Sequence, residues 1–68
     1  MNPQSIGNKI AKLRISKNLT QKQLAKKLLL TDKAISKWET GKGLPDITIL
    51  PKLAASLGVD VNEIVSEN

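Results

Sequence analysis

Residues 19–41 read LTQKQLAKKLLLTDKAISKWETG, and the fold follows from how this stretch is divided. Thr20 stands three residues before Gln23, and Leu19 stands five before Leu24; these are the spacings of a reciprocal capping box and of a hydrophobic staple, both devices that start a helix. Leu24, Ala25 and Leu28 then recur at helical spacing, giving a buried stripe of two turns that must end near Leu29. Thr31 is the next capping candidate. After it Ala34, Ile35 and Trp38 form a second inward stripe, with Asp32, Lys33, Ser36 and Lys37 left outside, and Thr40-Gly41 stops the helix. Two short helices, about 21–28 and 32–39, joined by three or four residues cannot lie antiparallel, so they are expected to cross steeply.

Working outward, residues 5–17 place Ile6, Ile10 and Leu13 on one side of a helix, and Asn18 is a plausible stop. Residues 40–45, TGKGLP, have the composition of a loop. Asp46 is positioned to cap a fourth helix carrying Ile47, Leu50, Leu53, Ala54 and Leu57 inward, closed by Gly58. Pro51 deletes a backbone hydrogen bond if it lies past the first turn, so a tight start is expected, with the regular helix beginning close to it. Asp60 with Glu63, and Val59 with Ile64, repeat the capping box and staple for a last short helix ending near Val65. No segment alternates like a strand. The expectation is an all-α, compact five-helix domain spanning residues 1–68, with its core at about 6–65.

Composition removes most kinds of chemistry. The chain has 68 residues, 40% of them hydrophobic, and neither Cys nor His. Disulfides, thiolate or imidazole metal sites and every His-assisted nucleophile are therefore excluded, and no metal, cofactor or catalytic site is expected. The longest apolar run is Leu28-Leu29-Leu30, and the N-terminus lacks the order of a signal peptide, so the expected setting is cytoplasmic, away from membranes. The net charge of +5 is unevenly divided. Residues 1–44 hold ten of the eleven Lys/Arg and two acids, while residues 45–68 hold one Lys against four acids. A polyanion would approach the basic two-thirds.

A steeply crossed helix pair on a basic segment suits duplex DNA, because the major groove admits an α-helix while the preceding helix spans the backbone. Asp32, Lys33, Ser36 and Lys37 are then the base-reading candidates. Lys33 and Lys37, one turn apart, can donate to guanine or to a phosphate; Asp32 either accepts from a cytosine amino group or merely favours the helix N-terminus as any acid would. Gln21 and Lys22, at the start of the first helix of the pair, are candidates for phosphate contact, as are Thr31, Thr40 and the loop residue Lys42. Lys42 has the plainer alternative of a solvated loop lysine. Trp38, the one aromatic residue, belongs on the apolar side with Ile35 and is read as core and not as a base-stacking platform. Arg14, at the edge of the first helix, and Glu39, at the end of the recognition helix, are placed to form a partly buried pair tying that helix to the scaffold.

The segments Leu19-Thr20-Gln21-Lys22-Gln23-Leu24-Ala25, Ala34-Ile35-Ser36-Lys37-Trp38-Glu39-Thr40-Gly41, Pro45-Asp46 and Leu53-Ala54-Ala55-Ser56-Leu57-Gly58-Val59 together resemble the Cro/C1-type, or Xre-like, helix-turn-helix family of phage repressors and bacterial regulators. The resemblance extends over nearly all of residues 6–65. It implies a lambda-repressor-like five-helix fold, phosphate contact by Gln21, base contact by Asp32, Lys33, Ser36 and Lys37, and a buried ion pair at Arg14 and Glu39. One position departs from the pattern: the family usually has glycine in the turn where this chain has Leu29, which would cost about 1–3 kcal/mol if the backbone there is left-handed. The functional expectation is a non-enzymatic, sequence-specific binder of a double-stranded DNA operator, a repressor acting as a homodimer, with no small-molecule ligand evident. The rival is an antitoxin-like protein-interaction module using the acidic end at residues 45–68.

Overall fold

The computed structural model describes residues 2–66. Its elements are α1 (Pro3–Ser16), α2 (Gln21–Leu28), α3 (Asp32–Glu39), α4 (Leu50–Leu57) and α5 (Val61–Val65), with no strand among the described residues. Twelve apolar side chains drawn from all five helices form the core, and Ile10, Leu24, Ile35, Leu53, Leu57 and Ile64 have no measurable exposure. The helices enclose a body of about 27 × 23 × 22 Å.

The start signals read from the sequence operate at α2 and α5. Thr20 Oγ1 accepts from the Gln23 amide at 3.0 Å, and Gln23 Oε1 accepts from the Thr20 amide at 2.8 Å. At α5, Asp60 Oδ1 accepts from the Asn62 amide at 2.9 Å, and Glu63 Oε2 takes the Asp60 amide at 3.0 Å. α1 begins two residues before the expected Ser5, because the Asn2 side chain caps the Ser5 amide at 3.1 Å and Pro3 sits in the first turn, where its missing N–H costs nothing.

Three capping or burial expectations are corrected. Thr31 occupies the cap position of α3, but its hydroxyl makes no capping hydrogen bond; the Ala34 amide it would serve already donates to the Thr31 main-chain carbonyl at 3.1 Å. Asp46 caps a turn preceding α4, and not the helix itself. Its carboxylate accepts from the Thr48 amide at 2.9 Å and the Thr48 hydroxyl at 3.0 Å, and these bonds hold its pKa below the usual carboxylate value. Residues 47–49 are therefore turn, so helical spacing counted from Ile47 misplaces it: Ile47 is 78% exposed, and the inward stripe begins at Leu50. The expected tight start near Pro51 is present, with Pro51 in the first turn of α4.

Two backbone details set the positions of α2 and α3. A Cβ on Gly7 would lie 2.0 Å from the Trp38 carbonyl oxygen, so α1 meets the end of α3 backbone to backbone. Leu29, which closes α2, is left-handed at φ 58° and ψ 38°, and the turn is stitched by Leu29 and Leu30 amides donating to Lys26 and Ala25 carbonyls at 3.2 and 2.9 Å. The turn thus has the geometry that favours glycine, with a leucine 83% exposed in its place. An L-residue held there costs about 1–2 kcal/mol, while the exposed side chain returns little by burial.

Leu29→Gly is accordingly expected to raise stability by up to about 1 kcal/mol, the relieved strain outweighing the greater freedom of glycine in the unfolded chain. Gly7→Ala is expected to lower it by about 1–3 kcal/mol through overpacking against the α3 backbone. Thermal unfolding checks both, since about 1 kcal/mol moves the midpoint of a domain this size by about 4–8 °C. A Gly7→Ala protein as stable as the parent would contradict the close approach.

Candidate nucleic-acid interface

α3 has two sides with different work. Ile35 and Trp38 point into the core, Trp38 at 7% exposure, which places the only tryptophan inside as its spacing implied. The opposite side carries Asp32, Lys33 and Lys37, all exposed, and Ser36, which is half-buried. No other element covers these side chains enough to remove them from solvent. The four base-reading candidates thus share one open face on a helix of eight residues.

The C-terminal end of α3 is held by a compact network. Arg14 donates through Nε to Glu39 Oε2 at 2.6 Å, through a terminal nitrogen to Glu39 Oε1 at 2.9 Å, and through the other to the Leu19 carbonyl at 2.7 Å. The pair is largely shielded, with side chains 14% and 7% exposed. The hydrogen bond to Glu39, opposed by burial and aided by that residue's charge, lifts Arg14 above its ordinary pKa, so it stays cationic throughout the accessible pH range. A fork geometry of this kind fixes direction as well as distance. Gln21, the first residue of α2, joins the same carboxylate: its Nε2 donates to Glu39 Oε1 at 3.0 Å.

The phosphate-contact candidates are placed around this network, and three of them have less free capacity than their residue types suggest. One Nε2 hydrogen of Gln21 is committed to Glu39, leaving the second. The Thr40 hydroxyl donates back along its own helix, to the Ser36 carbonyl at 2.8 Å with a longer contact to that of Lys37 at 3.3 Å, so it retains only acceptor capacity. The Lys42 main-chain amide donates to the Lys37 carbonyl at 2.9 Å, made possible by left-handed Gly41 at φ 74°. What Lys42 presents is its exposed ammonium alone. Lys22 and Thr31 are exposed.

Sequence reasoning passed over Lys26. It lies one turn after Lys22, and the two lysines line a shallow groove along α2 together with Thr20, Leu30, Thr31 and Asp32. The i, i+4 spacing of the two lysines was the available signal. Of the C-terminal acids, Asp60 caps α5 and Glu63 lies within it, and α5 packs against α1 and α4. No cluster of residues able to hold a metal ion occurs among the described residues, and no helix among them is long and apolar enough to cross a membrane.

With this geometry in place, comparison with known proteins is specific. The helix-turn-helix family model matches residues 10–64. The chain is 45% identical over 58 residues to the HTH-type transcriptional activator BcrR of Enterococcus faecalis, an alignment covering 85% of this chain and 28% of that protein. It is similar in structure to the restriction-modification controller protein C.AhdI of Aeromonas hydrophila, at 25% identity and a TM-score of 0.86, over 93% of this chain and 91% of that one. It is also similar to Bacillus thuringiensis PlcR, solved in complex with the peptide PapR7 and DNA, at 29% identity and a TM-score of 0.82, over 96% of this chain and 24% of that one. The chain spans roughly a quarter to a half of the length of the curated relatives it matches. An α2–α3 pair joined by three residues, its second helix tied to α1 by the Arg14–Glu39 link, together with a family match over residues 10–64, leads to one conclusion: the chain belongs to the Cro/C1-type helix-turn-helix family.

Proposed function

We propose that this chain binds double-stranded DNA and regulates transcription, with α3 in the major groove and the start of α2 on the phosphate backbone. One observation carries the reading: the outward face of α3, bearing Asp32, Lys33, Ser36 and Lys37, is open and polar, while its other face is anchored in the core. The family membership and the similarity to PlcR, solved with DNA, support it. Lys33 and Lys37 read bases with Ser36 and Asp32; Gln21, Lys22, Thr31 and Lys42 fix register on phosphates, whereas Thr40, whose hydroxyl hydrogen and amide are both spent on α3 carbonyls, has no donor left for one. The protein has no catalytic step in this reading and needs no cofactor.

An α3 of eight residues is about 12 Å long and reaches only a few base pairs. Discrimination among many competing sites therefore calls for a second copy on a two-fold-related half-site about 34 Å away. We assign that contact to the apolar cleft lined by Ile47, Leu50, Pro51, Val61 and Val65, in which the largely uncovered Ile47 is otherwise without use. Repression by occupying the site needs nothing beyond the DNA-reading surface. Activation, as in the name of BcrR, needs a further contact with the transcription machinery.

Titrating a random-sequence duplex at several salt concentrations tests the reading. With about four to six phosphate contacts per subunit, log K is expected to fall against log salt with a slope near −0.9 per contact. A flat response would favour the protein-interaction rival. Lys37→Ala is expected to cost about 1–3 kcal/mol on selected sites and to relax sequence preference, whereas Lys42→Ala weakens selected and random duplexes alike; identical effects of the two would overturn the assigned roles. For the dimer, Ile47→Asp is expected to shift the sedimentation coefficient to that of a monomer without unfolding the chain, since the side chain is 78% exposed. An unchanged coefficient would remove the cleft from the interface.

A further inference from the structure

The Arg14–Glu39 pair has more to do than hold α3 in place, because a third side chain from α2 ends on the same carboxylate. Glu39 Oε1 accepts from Arg14 at 2.9 Å and from Gln21 Nε2 at 3.0 Å, so one oxygen joins the end of the reading helix to the start of the backbone-gripping helix. We infer that Glu39 is a positioning residue for phosphate binding: it fixes the Gln21 carboxamide with its nitrogen inward, so that the second Nε2 hydrogen and the first amides of α2 face the same phosphate oxygen. The inference rests on the DNA reading above.

The argument is one of allowed orientations. A glutamine carboxamide has two nearly isosteric ends, one donor and one acceptor, and beside a neutral partner either can turn inward. Beside a carboxylate only the donor end fits, since the acceptor would face a negative charge. Glu39 cannot swing out to release it, because the Arg14 fork holds both of its oxygens. Arg14 is poorly placed to compete for the phosphate: three of its five N–H groups are spent on Glu39 and the Leu19 carbonyl, and its side chain is only 14% exposed. Gln21 is the only member of the network at the first turn of a helix. The Gln21 and Lys22 amides precede the first helical bond, which the Leu24 amide makes to the Thr20 carbonyl at 3.0 Å, and the Gln23 amide is taken by Thr20 Oγ1. α2 thus begins with two main-chain donors ahead of its first helical bond and one oriented side-chain donor, and the placement of that side chain relative to α3 is set by a shared atom.

The test uses the whole 15N-labelled chain and a random-sequence duplex of about two helical turns at low salt. The two Gln21 side-chain hydrogens are expected to be distinct, one protected against exchange in the free protein and the other shifting when duplex is added. Gln21→Ala is expected to weaken duplex binding about tenfold, the loss of one hydrogen bond to a charged group. Glu39→Gln, corrected to its folded fraction, is expected to weaken binding similarly in the parent and to have no further effect in the Gln21→Ala background. A Gln21 side-chain signal that stays still while α2 and α3 main-chain amides shift would overturn this inference and leave the DNA reading intact. Loss of stability in Gln21→Ala with unchanged duplex affinity would do the same. Absence of any shift would overturn both. If Glu39→Gln fails to fold, the side-chain signal in the parent protein decides.

Discussion

An eight-residue helix does not persist alone in water, because nucleation costs more than so few hydrogen bonds return. α3 exists only as far as one of its sides is held by the rest of the chain, and every functional statement about its other side depends on that. Three contacts of different physical kinds do the holding. Ile35 and Trp38 bury apolar surface, Gly7 lets the α1 backbone reach the Trp38 carbonyl, and the Arg14 fork fixes Glu39. Burial alone has no direction. The close approach and the fork supply it, so the outward face is presented at one angle.

The ion pair also illustrates how a costly interaction is made useful. Replacing a shielded pair by apolar groups is often neutral or stabilising, so its presence is weak support for a stabilising role. Its value here is geometric: the guanidinium aligns two carboxylate oxygens, and one of these also receives Gln21. Asp46 shows the opposite case of an acid at the surface, engaged only with Thr48 in a local turn. Among the described residues the lysines of α2, α3 and the loop after α3 form no ion pair, and Asp32 sits where the α3 dipole favours it.

Stability is spent at the turn between the two helices. Leu29 keeps the left-handed geometry of a short connection, although its side chain is exposed and its backbone strained. A turn that changes direction within three residues leaves few backbone options, and the packing of Leu24, Ala25, Leu28 and Ile35 on either side imposes one of them on a residue that resists it.

The number, order and boundaries of the central helices were legible in the chain itself, because the capping boxes at Thr20–Gln23 and Asp60–Glu63 and the apolar stripes of α2 and α3 are local codes read within one or two turns. The inward place of Trp38, the outward face of α3 and the pairing of Arg14 with Glu39 followed from the same spacing together with the family resemblance. What spacing could not decide was how each polar group is spent. Thr31 loses its capping role to a main-chain bond, Lys42 gives its amide to the end of α3, Ile47 turns outward, and Gln21 is drawn to Glu39 from eighteen residues away. A residue's type states what it can donate or accept, but competition for those hydrogen bonds is settled only when distant segments meet, and that meeting is a property of the packed structure.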